Sequence, residues 1–223
     1  MVQAGAVSYD PTTNKIRSYI SWINSSTSRV DELKRRLRHN GLQERTFHHL
    51  DNKIRWNSTF LMLTNFLSEH YVNVIVSYIN SEHGDDAITE YDIKMAESFV
   101  SFLDVFYKET CYLSAVYTPT SFLGLHTMTT IAVHFDKYKH ETIFEDCIQA
   151  MRAKFLKLGA GKVPLLYGLG VILHCRCKIG GLKKFLKYIR KHFEDQDYIA
   201  LDLARIVQAL YDLFRVYEAK LLP

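Results

Sequence analysis

The residues best placed to do chemistry in this 223-residue chain are basic, because they are segregated along the sequence. Residues 152–191 carry eleven lysines and arginines and no acidic residue, whereas residues 80–110 carry eight acids and two lysines. The formal net charge of +4 averages over these blocks. Because local potential rather than net charge steers a polyanion, residues 152–191 are predicted to contact phosphates. The alternative is that they form only a solubilising surface.

The basic residues of this block recur at helical spacing beside aromatic side chains, the pattern of a helix face that binds nucleic acid. The ones singled out on this ground are Lys154, Lys157, Lys183, Lys184, Lys187, Arg190 and Lys191. A second basic cluster covers residues 34–38 and has the same two interpretations, with nuclear import as a further role.

Known catalytic and metal-binding patterns are absent from the sequence: it has no Walker loop, GxGxxG, HExxH or GxSxG motif. His174, Cys175 and Cys177 are close in sequence, but a zinc site typically needs a second pair of ligands at matching spacing. The carboxylates are scattered, and Asp85 and Asp86 lie in a polar turn. We therefore predict no catalytic residue, no metal, no cofactor and no small-molecule substrate.

Secretion and membrane insertion are disfavoured by the sequence. The N-terminus lacks the basic start and apolar core of a signal peptide, and no run of about 18 apolar residues occurs. Four cysteines are too few for a disulfide scaffold. These features favour a reducing compartment, the nucleus or the cytosol, and no membrane partner.

Helical periodicity dominates the whole chain, and few glycines and prolines interrupt it. The prediction is an all-α fold of about eight amphipathic helices. Their predicted ranges are about 14–39 (one or two helices), 57–79, 88–114, 119–134, 141–157, 165–173, 182–192 and 198–220.

Short local signals set several of these boundaries. Asn40 and Gly41 form a helix stop, and Asn57-Ser58-Thr59 can cap the next helix. Thr118-Pro119 is typical of a helix start, and Gly159-Ala160-Gly161 of a joint. Gly180-Gly181 is predicted to separate two helices.

One segment resembles a known family. Residues 50–63, Leu-Asp-Asn-Lys-Ile-Arg-Trp-Asn-Ser-Thr-Phe-Leu-Met-Leu, are similar to the Asp-x-x-Thr-Arg-Trp-Asn-Ser-Thr-Tyr-x-Met-Leu signature of hAT-superfamily transposases, especially the plant BED-finger, RICESLEEPER type. Weaker similarities follow in the family's order over most of the chain. They include Phe102-Leu103, Phe106-Tyr107, Pro119-Thr120, Met151-x-x-Lys154-Phe155, Pro164 to Leu173, Arg176, Lys178 and Gly181.

The resemblance implies a helical portion that flanks, or is inserted in, an RNase-H-like transposase core. Residues 1–50 would be the helical segment that follows the core, and residues 51–223 the hAT-like helical region. The family's three catalytic acids would then lie outside this chain, which is expected to be a portion of a larger architecture and inactive alone. His174-Cys175 replaces the family's Asp-Pro, which indicates a diverged copy.

The resemblance also implies nucleic-acid contacts. The tryptophan matching Trp56 lies near the DNA end in family transposases, where a large aromatic plane can stack on a base. The alternative is that Trp56 anchors the start of a helix in the core. The predicted nucleic-acid-binding set is Arg55, Trp56, Asn57, Lys154, Lys157, Arg176, Lys178, Lys183, Lys184, Lys187, Arg190 and Lys191.

Two functions follow as hypotheses. The first is a transposase-derived, catalytically inactive, nuclear protein whose partner is DNA. The second is a helical module that binds another protein or itself, and it rests on the amphipathic segment 198–220.

Overall fold

The structure is a computed structural model that describes residues 2, 10–46, 56–115, 117, 119–157, 163–192 and 198–221. These residues form ten α-helices and one 3-10 turn, and no strand. The helices are α1 Asp10–Asn24, α2 Thr27–His39, α3 Trp56–Phe66, α4 Val72–His83, α5 Glu90–Leu113, α6 Leu123–Tyr138, α7 Glu145–Phe155, α8 Leu165–Leu173, α9 Lys178–His192 and α10 Tyr198–Leu221. The 3-10 turn is Thr142–Phe144. The all-α prediction is confirmed, with two helices more than expected.

The chain divides into two compact units, residues 2–104 and residues 105–223. We call them the N-terminal and C-terminal units. The division predicted from the sequence, after residue 50, falls inside the N-terminal unit. Among the described residues, no helix has the length and apolarity needed to cross a membrane.

In the N-terminal unit, helices α1 and α2 pack through apolar residues spaced three and four apart. Ile16, Ile20 and Ile23 of α1 are buried, as are Leu33 and Leu37 of α2. The spacing of three to four residues puts each set on one helix face, so the two faces meet. Helix α1 also packs on α3, and α2 packs on α4.

The end of α2 is the stop predicted from Asn40 and Gly41. Gly41 has φ of +70°, which glycine adopts without a steric penalty. The Leu42 N–H donates to the Leu37 carbonyl at 2.9 Å, and the Gly41 N–H donates to the Arg38 carbonyl at 3.0 Å. These two bonds form a Schellman motif and satisfy carbonyls at the helix end.

The segment predicted as one helix over 57–79 is instead two helices, α3 and α4. Arg45 holds the break, because its guanidinium donates to the Asn65 carbonyl at 2.6 Å and to Ser68 Oγ at 2.7 Å. The same guanidinium lies 3.7 Å from the centre of the Tyr71 ring. A residue distant in sequence therefore ends α3, which no local pattern indicates.

Helix α5 begins with a reciprocal cap. The Thr89 N–H donates to Asp92 Oδ2 at 3.0 Å, and the Asp92 N–H donates to Thr89 Oγ1 at 3.2 Å. Lys15 of α1 adds an ion pair to the same carboxylate at 2.6 Å. The cap therefore joins the start of α5 to α1.

In the C-terminal unit, helices α7, α8 and α9 all pack against α6, and α10 packs on α8 and α9. Helix α8 packs closely against α10 and against the residues just before α6, and this packing depends on two glycines of α8. A Cβ on Gly168 would lie 2.6 Å from Ile206 of α10, and one on Gly170 would lie 2.8 Å from the Phe122 backbone. The start of α8 after Pro164 is confirmed, since Pro164 is its N-cap.

Two predicted helix boundaries in this unit are wrong. Pro119 is not the first residue of a helix, because α6 begins at Leu123. Gly180 and Gly181 lie inside α9, and the break that separates α8 from α9 is at residues 174–177. The predicted joint at 159–161 lies outside the described residues.

Candidate nucleic-acid interface

Helix α9 is held in the C-terminal unit by one apolar side. Leu182, Leu186 and Ile189 have no exposed surface. They recur at intervals of three and four residues and face the core, where α9 packs against α6, α8 and α10. This anchoring fixes which side of α9 is left to solvent.

The other side of α9 presents four exposed lysines. We define the lysine face as Lys183, Lys184, Lys187 and Lys191, all of which are exposed. Their spacing places them within about one third of the helix circumference. Tyr188, 56% exposed, lies beside them. This is a compact set of cations that the structure brings together as predicted.

The lysine face carries unneutralised positive charge. No acidic residue occurs in α9. Within the described parts of the chain, none of the four lysines has an ion-pair partner. Such a face attracts phosphate oxygens and releases counterions when they bind.

Two further predicted residues lie near the start of α9. Arg176 is exposed in the turn before the helix, and Lys178 is exposed at its first position. Lys178 has φ of +52°, an uncommon backbone conformation for a residue other than glycine. The turn is fixed by the His174 carbonyl, which accepts from the Cys177 N–H at 3.0 Å.

Lys154 and Lys157 are exposed at the end of α7 and just beyond it. Helix α7 packs on α6 and on the 3-10 turn. Both lysines are therefore accessible, but they do not lie on the helix that carries the lysine face, and their role in binding DNA stays a prediction.

Arg190 contradicts its predicted role in nucleic-acid binding. It lies three residues after Lys187 and seven after Lys183, the spacing of a shared helix face. Its side chain is nevertheless 1% exposed and donates to Asp202 of α10 at 2.6 Å. A buried guanidinium with a carboxylate partner cannot reach a phosphate at the surface, so this prediction is wrong.

Two residues of the Arg-Trp-Asn motif lie within the part of the chain that the structure describes. Arg55 lies outside the described residues. Trp56 and Asn57 begin α3, and both are half-buried. Thr59 and Phe60, which follow, are buried. Trp56 is therefore the first residue of α3 and lies close in sequence to buried residues, and both its anchoring role and its role in binding DNA stay predictions.

The basic cluster of residues 34–38 differs from the lysine face because each of its four cations pairs with an acid. Glu32 accepts from Arg35 and from Arg36, each at 2.7 Å. Those hydrogen bonds, from Arg35 first and then Arg36, lower the pKa of Glu32 to about 2. The two other cations also meet acids, Lys34 with Asp31 at 3.8 Å and Arg38 with Glu44 at 3.3 Å.

His174 and three of the cysteines have surroundings that do not indicate a metal site or a reactive thiol. The His174 ring stacks on Phe122 at 4.5 Å, and Cys175 and Cys177 are free thiols. Burial raises the pKa of the Cys147 thiol to about 12, which keeps it protonated and unreactive. Across the described residues, no three His, Cys, Asp or Glu side chains converge as metal ligands would.

Comparison with known proteins gives one match. Residues 1–102 match the family model of the ZBED1 RNase-like helical domain. That family is related to hAT transposases, so the match supports the resemblance found in the sequence for this part of the chain. The finer similarity to plant BED-finger proteins stays a prediction. No curated protein and no solved structure gave a significant match.

The matched region ends two residues before the boundary between the two units. It therefore covers the N-terminal unit. The lysine face belongs to the C-terminal unit and lies outside the match. The sequence pattern predicts all four lysines of the face. It does not predict the role of Asp202, because this partner of Arg190 lies on another helix and no fixed spacing indicates it.

Proposed function

We propose that this chain is a hAT-related, transposase-derived protein that binds DNA through the lysine face and does not cleave it. The observation that carries the proposal is the lysine face itself: four exposed lysines on one helix, with no acid in that helix. The family match of residues 1–102 supports a transposase-related origin. Neither observation requires that a base sequence be read, so the binding is proposed to be non-specific.

The absence of acids over residues 152–191 favours a binding surface over a merely solvated one. Solvated helix faces usually mix both signs of charge, and the 34–38 cluster does so through Glu32, Asp31 and Glu44. Tyr188 beside the lysines adds a ring on which an unpaired base could stack. Duplex and single-stranded DNA are both suitable ligands on this account.

The test compares two variants that lose equal charge. K183Q/K184Q/K187Q removes three cations of the lysine face, and K34Q/R35Q/R38Q removes three from the acid-paired cluster of residues 34–38. Binding of a fluorescent 20-base-pair duplex would be measured by anisotropy at low salt, with circular dichroism as the folding control. We expect the first variant to weaken binding at least tenfold and the second less than threefold. Equal losses, or no binding by the parent chain, would refute the proposal.

The proposed lack of cleavage is consistent with how the buried acids are used. Asp92 is paired with Lys15, Asp202 with Arg190, and Glu109 accepts a hydrogen bond from Thr127. Each carboxylate thus serves the fold. Incubation with supercoiled plasmid and Mg²⁺ or Mn²⁺ should leave the plasmid intact, while nicking by the parent chain would contradict the proposal.

A nuclear location is part of the same proposal. Lys34 to Arg38 supply the basic cluster that import would use. A fluorescent fusion of the whole chain should therefore concentrate in the nucleus, and K34Q/R35Q/R38Q should reduce that enrichment. An even distribution of the parent fusion between nucleus and cytosol would contradict this part of the proposal.

A further inference from the structure

Helix α10 has two halves in different environments. Its first half is held in the C-terminal unit, where Ile206 and Asp202 are buried. Every residue from 211 to 221 is exposed. Eleven residues correspond to about 16 Å of helix, or three turns. An isolated helix of that length is marginal in water, so the exposed half gains stability if something covers it.

A regular line of apolar residues runs along α10 and continues into its exposed half. Leu203, Val207, Leu210, Phe214, Tyr217 and Leu221 alternate at spacings of four and three residues. That alternation averages 3.5 residues and is the pattern of a coiled-coil seam. We define the α10 seam as Leu210, Phe214, Tyr217 and Leu221. Phe214 is 62% exposed, Tyr217 is 59% exposed and Leu221 is 80% exposed.

More apolar side chains widen this seam. Tyr211, Leu213 and Val216 are also exposed, at 60%, 38% and 52%. Contiguous apolar surface of this kind marks a site of protein association. The proposal goes beyond DNA binding, because the lysine face is on α9 and none of its residues belongs to the seam.

We infer that two copies of this chain associate through their α10 seams, as an antiparallel helix pair. Antiparallel alignment about the midpoint of residues 214 and 217 sets Leu210 of one copy against Leu221 of the other. It also sets Phe214 against Tyr217 of the second copy. Four apolar layers form, because each pair occurs twice by symmetry.

The flanking residues favour the same alignment. The seam spacing puts Phe214 and Leu221 at heptad a positions and Leu210 and Tyr217 at d positions, so Tyr211 and Glu218 occupy e positions. In antiparallel coiled coils the e positions of both helices face each other, so Glu218 of one copy would lie beside Tyr211 of the other. The Tyr211 hydroxyl can donate a hydrogen bond to that carboxylate. A parallel pair would set Glu218 beside Leu213 instead. The antiparallel pair also keeps the two folded C-terminal units at opposite ends of the seam.

The seam is short, with an overlap of residues 210–221 or about 18 Å of helix. An interface of this size lies at the weak end of specific interfaces, so the dimer is expected to form reversibly at micromolar concentration. Sedimentation velocity of the whole chain over a dilution series should show a monomer converting to a dimer.

Charge-bearing variants test both the surface and the direction of pairing. F214E and Y217K should each be monomeric, whereas A219E, an exposed change away from the seam, should dimerise like the parent chain. An equimolar mixture of the F214E and Y217K chains should regain the dimer, because antiparallel pairing places the new carboxylate against the new ammonium group. Parallel pairing would not bring those two positions together.

The proposal is overturned if the parent chain stays monomeric throughout the dilution series, or if F214E dimerises as well as A219E does. Failure of the mixture to dimerise would overturn the antiparallel arrangement. The melting temperatures of F214E and Y217K must match that of the parent monomer, which shows that both variants fold. A variant with a lower melting temperature is replaced by L221E, which lies at the solvent-exposed end of the seam. DNA binding is measured separately, so its failure would not be confused with failure of dimerisation.

Discussion

Arg190 and Asp202 form a buried ion pair that joins α9 to α10. Arg190 Nη2 lies 2.6 Å from Asp202 Oδ2, and the two side chains are 1% and 5% exposed. Arg205 approaches the other carboxylate oxygen, Asp202 Oδ1, at 2.9 Å and also donates to the Val163 carbonyl. One carboxylate thus holds together the helix that carries the lysine face and the helix that carries the α10 seam.

Removing this carboxylate should destabilise the C-terminal unit strongly. D202A removes the carboxylate to which the buried Arg190 donates, and breaking a buried ion pair in this way costs about 3–5 kcal/mol of unfolding free energy. Urea denaturation followed by circular dichroism measures the loss. D212A, at an exposed position of the same helix, should cost less than about 1 kcal/mol. A small loss for D202A would show that the pair contributes little to folding.

Two glycines of the C-terminal unit should respond in opposite directions to alanine. G170A introduces a Cβ 2.8 Å from the Phe122 backbone, which cannot yield by rotating a side chain. We expect a loss of about 2 kcal/mol or more. A Cβ at Gly180 meets nothing within 4 Å, so G180A should raise stability by about 0.5–1 kcal/mol through helix propensity. Melting temperatures of both variants check this, and a lower value for G180A would contradict it.

The stability of the N-terminal unit should depend on pH through Asp92. Burial alone would raise the pKa of Asp92, but the hydrogen bonds from Lys15 and Thr89 outweigh burial and lower it. A carboxylate whose pKa is lower in the folded state stabilises fully above its unfolded pKa, about 3.9. That contribution is lost as pH falls from there through the lower folded pKa.

The measurement is urea unfolding of the parent chain and D92N between pH 3 and pH 7. At pH 7 the variant should be less stable by about 1–3 kcal/mol, the value of a charge-assisted hydrogen-bond set. The difference should shrink as the solution is acidified below about pH 4. If the difference in unfolding free energy between the parent chain and D92N stays constant over this range, titration of Asp92 does not contribute to the pH dependence of stability.

The sequence predicts those parts of the fold that local patterns control. Capping signals and 3.6-residue periodicity predict three of these features: the end of α2 at Asn40 and Gly41, the start of α8 after Pro164, and the extent of α10. They do not predict the break between α3 and α4, because Arg45 imposes it from outside both helices. The place of Gly180 inside α9 likewise reflects the packing of that helix rather than glycine's local preference.

In the candidate site, too, local patterns predict some features and long-range contacts decide others. Helical spacing correctly predicts that Lys183, Lys184 and Lys187 share an exposed face. Helical spacing also places Arg190 on this face, and that prediction is wrong. Arg190 lies at the edge of the face, where a side chain can point either to solvent or into the core. Asp202 decides the outcome by offering a buried partner. Long-range ion pairs of this kind leave no periodic signal in the sequence.

The salt dependence of DNA binding tests the central claim most directly. Each lysine that neutralises a phosphate contributes about 0.9 to the slope of log Kobs against log salt concentration. Titrations of the duplex between about 50 and 200 mM KCl should therefore give K183Q/K184Q/K187Q a slope lower in magnitude by about 2–3 than that of the parent chain. An unchanged slope would contradict the claim that the lysine face contacts the DNA backbone.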